Sequence, residues 1–216
     1  MMTRIARKTA ILKLVAEIDN YLATLDGEGI EDVRSGIASL SRVELRDVPP
    51  RNSPACAQLD AALDAMGETQ LSKAIAEARG YLSWTAYDLY PLEQIGADFA
   101  AGHAFASLIG ENTFLEARDF DLGLFIIEPH VFYRDHHHAA PELYAPLTGP
   151  HGWRFKPGDP LVWKPAHEPV WNEPWKPHAT KVGDQPFLCI FGWTRDVNEP
   201  ARVIPSGDWS ALEKTR

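Results

Sequence analysis

The spacing of apolar residues changes character near residue 80, and no other feature of the sequence constrains the fold as tightly. Before that point the recurrence is helical. Ile11, Leu14, Val15, Ile18, Leu22 and Leu25 lie three or four residues apart, which gathers them on one stripe, and Gly27 follows as a stop. A second helix is expected over 31–45, with Val33, Ile37 and Leu40 inward, ahead of the break at Pro49 and Pro50. Ser53 followed by Pro54 supplies an N-cap and a residue suited to the first helical turn; Leu59, Leu63 and Met66 then form an inner face until Gly67. A fourth helix is expected over 69–79, with Leu71, Ile75 and Ala78 inward.

From Tyr81 the chain becomes short aromatic and β-branched runs punctuated by proline and glycine, which is how antiparallel strands read. Six to nine strands are expected, the clearest over 104–109, 122–138, 143–147, 153–156, 160–163 and 186–193. Because helical periods of comparable length do not return after Arg79, a doubly wound α/β fold is disfavoured. The expected organisation is a helical extension over 1–80 followed by a mainly β domain over 81–216.

With 216 residues, one domain with a sizeable core is favoured over two. A net charge of -9 argues against a nucleic-acid or anionic-membrane partner, since both need a basic surface. No stretch approaches the roughly 20 apolar residues of a membrane-spanning helix. The amino-terminal apolar run 10–18 is interrupted by Lys13 and Glu17, so no export signal is read and a cytoplasmic location is expected. Cys56 and Cys189 are far apart and outside any CxxC spacing, which suits reduced, buried thiols.

The chemistry concentrates in residues 133–144, Tyr-Arg-Asp-His-His-His-Ala-Ala-Pro-Glu-Leu-Tyr. Side chains alternate along a strand, so His136 and His138 share a face and His137 takes the other. Glu142 and Tyr144 keep the same parity if extended structure resumes after Pro141. Two imidazoles and a carboxylate suit zinc, iron, manganese, cobalt or nickel, and so few protein ligands leave positions open for substrate.

His136, His138, Glu142 and Gly149 match the first cupin motif, two histidines separated by one residue, followed by a glutamate and then, after six intervening residues, a glycine. The longer string from Glu128 to Tyr144 resembles the cupin-type dimethylsulfoniopropionate (DMSP) lyases, DddQ-like and DddL-like, over roughly the second half of the chain. His130 stands where the motif usually opens with glycine, and Val182 where the second motif often has asparagine. The resemblance implies a jelly-roll cupin barrel, also called a double-stranded β-helix, holding one divalent transition metal. Of two candidates for its fourth ligand, His167 and His178, it favours His178. It further implies β-elimination of DMSP to dimethyl sulfide and acrylate, with Tyr144 as base. Tyr133 would assist as a base or hold substrate, and Trp193 would face the sulfonium. Histidines 103, 130 and 151 are expected to be structural or solvent-facing, and Trp153 and Trp163 to serve core or lid packing.

The loop 166–177, rich in proline and carrying Trp171 and Trp175, reads as a lid or a stiff crossover. Another metal-dependent cupin enzyme, an oxygenase or an isomerase, would use the same ligand set, and a non-enzymatic ligand-binding cupin is a further alternative. No helix-turn-helix pattern or basic stripe points to DNA. The helical extension offers a face for packing on a partner barrel in a homodimer.

Overall fold

The computed structural model describes residues 2–40 and 45–215. Four amino-terminal helices, α1 (Met2–Leu22), α2 (Ile30–Ala38), α3 (Leu59–Met66) and α4 (Gln70–Ala78), precede the sheets. Two short helices, α5 (Leu92–Ile95) and α6 (Ala97–Gly102), lead into strands β1 (His103–Gly110), β2 (Leu115–Glu116), β3 (Asp121–Ile127) and β4 (Phe132–His137). Strands β5 (Glu142–Pro146), β6 (His151–Arg154), β7 (Val162–Lys164) and β8 (Val170–Asn172) follow. The chain finishes with β9 (His178–Val182), β10 (Phe187–Trp193), β11 (Arg202–Val203) and α7 (Trp209–Lys214).

The strands form two sheets, a larger one in the order β2-β1-β3-β10-β5-β8 and a smaller one in the order β11-β4-β9-β6-β7. Alternation assigns each face of the larger sheet. Leu122, Leu124, Ile126, Leu143, Ala145, Leu188 and Ile190 join one apolar cluster with Ile11, Leu14, Ile18, Val33, Leu71 and Ile75 of the helices. Phe125, Ile127, Tyr144, Phe187, Cys189 and Phe191 point the other way, into a second cluster with Tyr133, Trp153 and Val182 of the smaller sheet. A sheet covered on both faces reads as continuous apolar runs rather than alternation, which is why β3 and β10 stood out in the sequence. The two facing sheets make the jelly-roll cupin barrel that the resemblance implied.

Several expected boundaries move. Helix α2 stops at Ala38, where the Ser39 hydroxyl donates back to the Gly36 carbonyl, and Leu45 instead pairs with Leu115 in an isolated bridge. The rest of the expected span, 41–44, lies outside the described residues. Ser53 makes no capping bond; Pro54–Gln58 is a 3-10 turn that runs into α3. Thr69 does cap α4, in a reciprocal box with Ser72. Helices α5, α6 and α7 escaped the reading because four to six residues are too few to show a period.

The expected strand over 122–138 is two strands. Around Pro129 and His130, whose φ is 65°, the chain leaves the larger sheet and enters the smaller one. Strand β7 covers only the end of the expected 160–163 run, and Trp163 on it is 46% exposed, so it is not core; Trp153 is fully buried. Residues 170–172 of the proline-rich loop form β8 at the edge of the larger sheet.

The outer side of β4 is anchored by charge. Asp135 is buried and accepts from Arg154 Nε at 2.8 Å and Nη2 at 2.5 Å, while the Trp209 indole donates to it at 2.7 Å. Arg154 also reaches Asp208, so α7 is tied to the strand that carries His136. Breaking one partner of a buried pair leaves the other charge uncompensated. Asp135→Asn is therefore expected to lower unfolding free energy by about 3 kcal/mol. Denaturant titration measures this, and a loss below about 1 kcal/mol would contradict the anchoring role.

Candidate metal centre and cavity

Three imidazoles meet between the sheets. The ligand-competent atoms of His136, His138 and His178 all lie within 4.8 Å of one another and all three residues are buried. His136 and His178 are cross-strand partners on β4 and β9, and His138 follows the end of β4. Each ring is oriented by its own backbone neighbourhood. Nδ1 donates to the Arg134 carbonyl at 2.8 Å from His136, to Ala140 at 2.7 Å from His138, and to Lys176 at 3.0 Å from His178. A proton held on Nδ1 leaves a lone pair on Nε2, the form a metal requires.

The Nε2 atoms of His136 and His178 are buried without any hydrogen-bond partner. Burial, reinforced for His136 by its imidazole neighbours and countered for His178 by Glu142, pushes the pKa of both rings down, so they stay neutral. An orphaned buried acceptor costs about 1–3 kcal/mol, and a cation relieves it. The donor set therefore fits a divalent transition metal.

Glu142 supplies the carboxylate. It opens β5, with Trp193 of β10 directly opposite on one side and Asn172 of β8 on the other. Both neighbours donate to it, the indole to Oε1 at 2.6 Å and the amide to Oε2 at 3.2 Å. Its Oε2 is 3.1 Å from His138 Nε2 and 3.5 Å from His178 Nε2. Burial alone would raise its pKa, but the facing imidazoles outweigh that and hold it well below the usual carboxylate range.

The carboxylate also borders a cavity of about 160 Å³ whose walls include Tyr87, Tyr90, Tyr133, Tyr144, Phe191 and Trp193. That is small beside the roughly 300–1,000 Å³ of drug-sized pockets, so it takes a molecule of few heavy atoms. Tyr133 reaches this interior through an irregularity. Tyr133 pairs with Thr180 and His136 with His178, so three steps on β4 match two on β9. One extra residue is a β-bulge, which re-aims a side chain. Without it, odd-numbered Tyr133 would face away from His136; with it, the two rings stack at 3.8 Å between centroids. The Tyr133 hydroxyl is engaged with that of Tyr90 at 2.8 Å. Tyr144 faces inward by simple alternation from Glu142. Burial pushes the pKa of both phenols well above 10, with the Glu142 charge next in importance at Tyr144.

His167 stands apart, exposed on the outer surface with Nδ1 2.9 Å from the Tyr21 hydroxyl. His137 is half-buried on the other side of β4, its ring against Trp175. His103 and His151 are buried, with pKa values lowered to about 4 by burial, and His103 holds Tyr87 by accepting its backbone N–H at 2.9 Å. His130 is part-exposed near Asp184. Sequence reasoning missed Asn172, Tyr87, Tyr90 and Asp121. Asp121 did carry a signal, an acidic residue with the parity of Phe125 at the head of an apolar run. The tyrosines lie in an aperiodic segment, and Asn172 sits in what read as a lid.

A family model described as dimethylsulfoniopropionate lyase matches residues 34–189, well over half of the 216-residue chain. The match begins within α2, so the likeness extends beyond the second half of the chain. The DMSP lyase DddQ of Ruegeria pomeroyi is 28% identical over 120 residues, which span 55% of this chain and 59% of that protein. Its crystal structure superposes with a TM-score of 0.72 at 22% identity, covering 90% of this chain and 96% of the other. A structure described with the DMSP lyases RdDddP and RnDddQII gives 0.70 at 18% identity, covering 92% and 100%. At such identities the superpositions speak for the fold. No helix among the described residues is long and apolar enough to cross a membrane.

The orphaned nitrogens make metal binding directly testable. In equilibrium dialysis against zinc or cobalt, His136→Ala and His178→Ala should each retain less than a tenth of the bound metal, whereas His167→Ala should match the parent. Metal at a hundredfold excess over Kd should stabilise the parent by about 2.7 kcal/mol. An unchanged stoichiometry in His178→Ala would remove it from the centre.

Proposed function

The chain belongs to the dimethylsulfoniopropionate lyase family, and from that membership we propose that it is a metal-dependent carbon–sulfur lyase. It splits DMSP into dimethyl sulfide and acrylate by β-elimination. The observation that carries this reading is the junction of His136, His138, His178 and Glu142 with the Tyr144 phenol at the edge of an aromatic cavity.

The reaction removes a proton from the carbon next to the carboxylate and breaks the bond between the other methylene and sulfur. The electron pair freed at the first carbon forms the double bond, and the pair of the broken bond leaves with sulfur. Such a proton is a weak acid, because its removal puts charge next to an existing carboxylate. A divalent metal bound by His136, His138, His178 and Glu142 would polarise the substrate carboxylate and favour the ionised form of a nearby phenol.

Tyr144 is the proposed base. Its phenol is buried beside a carboxylate, and both influences keep it protonated in the absence of added positive charge. Tyr133 is the second tyrosine of the site. Its hydroxyl already shares a proton with Tyr90, so it serves better as a donor that holds substrate than as the base. Trp193 donates its N–H to Glu142 and borders the cavity, where its ring can meet the sulfonium. Each cation contact with an aromatic face is worth about 0.5–2 kcal/mol. The small aromatic enclosure excludes water from the reacting carbon.

The protein loaded separately with zinc, iron(II), manganese, cobalt or nickel should release headspace dimethyl sulfide from added DMSP. Silence with all five would overturn the reading. Tyr144→Phe should keep its metal and lose about 10²–10⁴-fold in turnover, the range for one acid–base group. Because only the phenolate accepts a proton, kcat/KM should rise with pH through the phenol pKa of the loaded enzyme. At low pH it should fall again as protons displace metal from the imidazoles. A Tyr144→Phe enzyme with parental turnover would transfer the base role elsewhere.

A further inference from the structure

Glu142 is not the only carboxylate on the cavity wall. Asp121 opens β3 and faces inward with Phe125. Across the larger sheet it is the register partner of Trp193, whose other partner is Glu142, whose own further partner is Asn172. Asn172, Glu142, Trp193 and Asp121 thus form one row over four adjacent strands. With strands about 4.8 Å apart, the two carboxylates stand about 10 Å apart along the row with the indole between them.

Asp121 lacks the partner that a buried carboxylate needs. Oδ2 accepts from the Ser107 hydroxyl at 3.1 Å, whereas Oδ1 is shielded from water and bonded to nothing. Among the described residues it enters no ion pair, and no lysine or arginine lines the cavity. Burial lifts its pKa to about 7 against the pull of Ser107, and a cation placed beside it would stabilise the ionised form. The enclosure therefore presents aromatic faces and two carboxylates to its contents, which favours a cationic guest.

The geometry points to Asp121 as the residue that selects an onium head, a sulfonium or quaternary ammonium, at the end of the cavity away from the imidazoles. A cation without N–H groups asks for charge and π faces rather than for hydrogen-bond geometry, and Asp121 beside Trp193 offers both. The assignment deepens the lyase reading by fixing which end of a zwitterion lies where, and it rests on that reading for the carboxylate end alone.

The test is calorimetric binding to the metal-loaded protein of two non-sulfonium probes of similar shape. One is 3-(trimethylammonio)propanoate, which carries a fixed positive charge; the other is 4-methylpentanoate, which has a neutral branched end. The parent should bind the charged probe at least tenfold more tightly. Asp121→Asn keeps size and the Ser107 contact; it should lose at least tenfold for the charged probe and stay within twofold for the neutral one. Asp121→Glu should recover part of the difference. The neutral probe reports whether the variant site is intact, so misfolding cannot imitate the result. Equal losses for both probes, or no loss for either, would overturn the assignment. If the parent releases no dimethyl sulfide but the probes separate as stated, the lyase reading fails and the Asp121 assignment stands. Dimethyl sulfide from a parent whose Asp121→Asn variant binds both probes unchanged gives the reverse.

Discussion

Three hydrogen bonds from imidazole Nδ1 to backbone carbonyls set the terms for everything else in the barrel. Each carbonyl lies two residues from its histidine, before it for His136 and His178 and after it for His138, so local chain geometry alone fixes the rings. With Nδ1 committed as donor, Nε2 of His136 and of His178 is left as an acceptor, and burial keeps both rings neutral; Nε2 of His138 faces the Glu142 carboxylate instead. The two acceptors are buried with no protein group to bond, a state that proteins avoid unless a ligand resolves it. Glu142 is treated likewise from the opposite sheet, gripped by the indole of Trp193 and the amide of Asn172. One carboxylate clamped from both sides faces imidazoles clamped from behind, and the centre is organised before anything binds.

That organisation depends on the larger sheet being covered twice. The helices bury the even-numbered residues of β3 and β10 and the odd-numbered Leu143 and Ala145 of β5, and the smaller sheet closes over the opposite set. Were the helices absent, Leu122, Leu124, Leu188 and Ile190 would face water. The face of the larger sheet that borders the cavity thus rests on the helices packed against its reverse side. The smaller sheet is held differently, by the buried Asp135–Arg154 pair and its link to Asp208.

Within this frame the cavity has a consistent electrostatic character. It carries two carboxylates, aromatic walls and no lysine or arginine among its described lining residues. An anionic ligand has little to hold it there apart from a cation at the histidine cluster. A zwitterion with a carboxylate at one end and an onium group at the other matches both halves, and the proposed reaction and the role assigned to Asp121 draw on the same field.

Much of this was legible in the chain itself. The change from helical to strand period announced helices before sheets, because burial patterns repeat with the geometry of each element. The spacing of His136, His138 and Glu142 announced a metal cluster, because donors close in sequence can converge with little help from the rest of the fold. Tertiary structure alone decided which distant residues complete it. Between His167 and His178 the resemblance favoured the second, but the pairing of β9 with β4 is what sets His178 opposite His136, while His167 lies outside against Tyr21. Simple alternation would have turned Tyr133 away from His136, and the bulge that brings them together exists only as a mismatch between two paired strands. Asn172, Tyr90 and Asp121 became neighbours of the site through strand register and loop closure. Those contacts link residues far apart in the chain, and no local pattern records them.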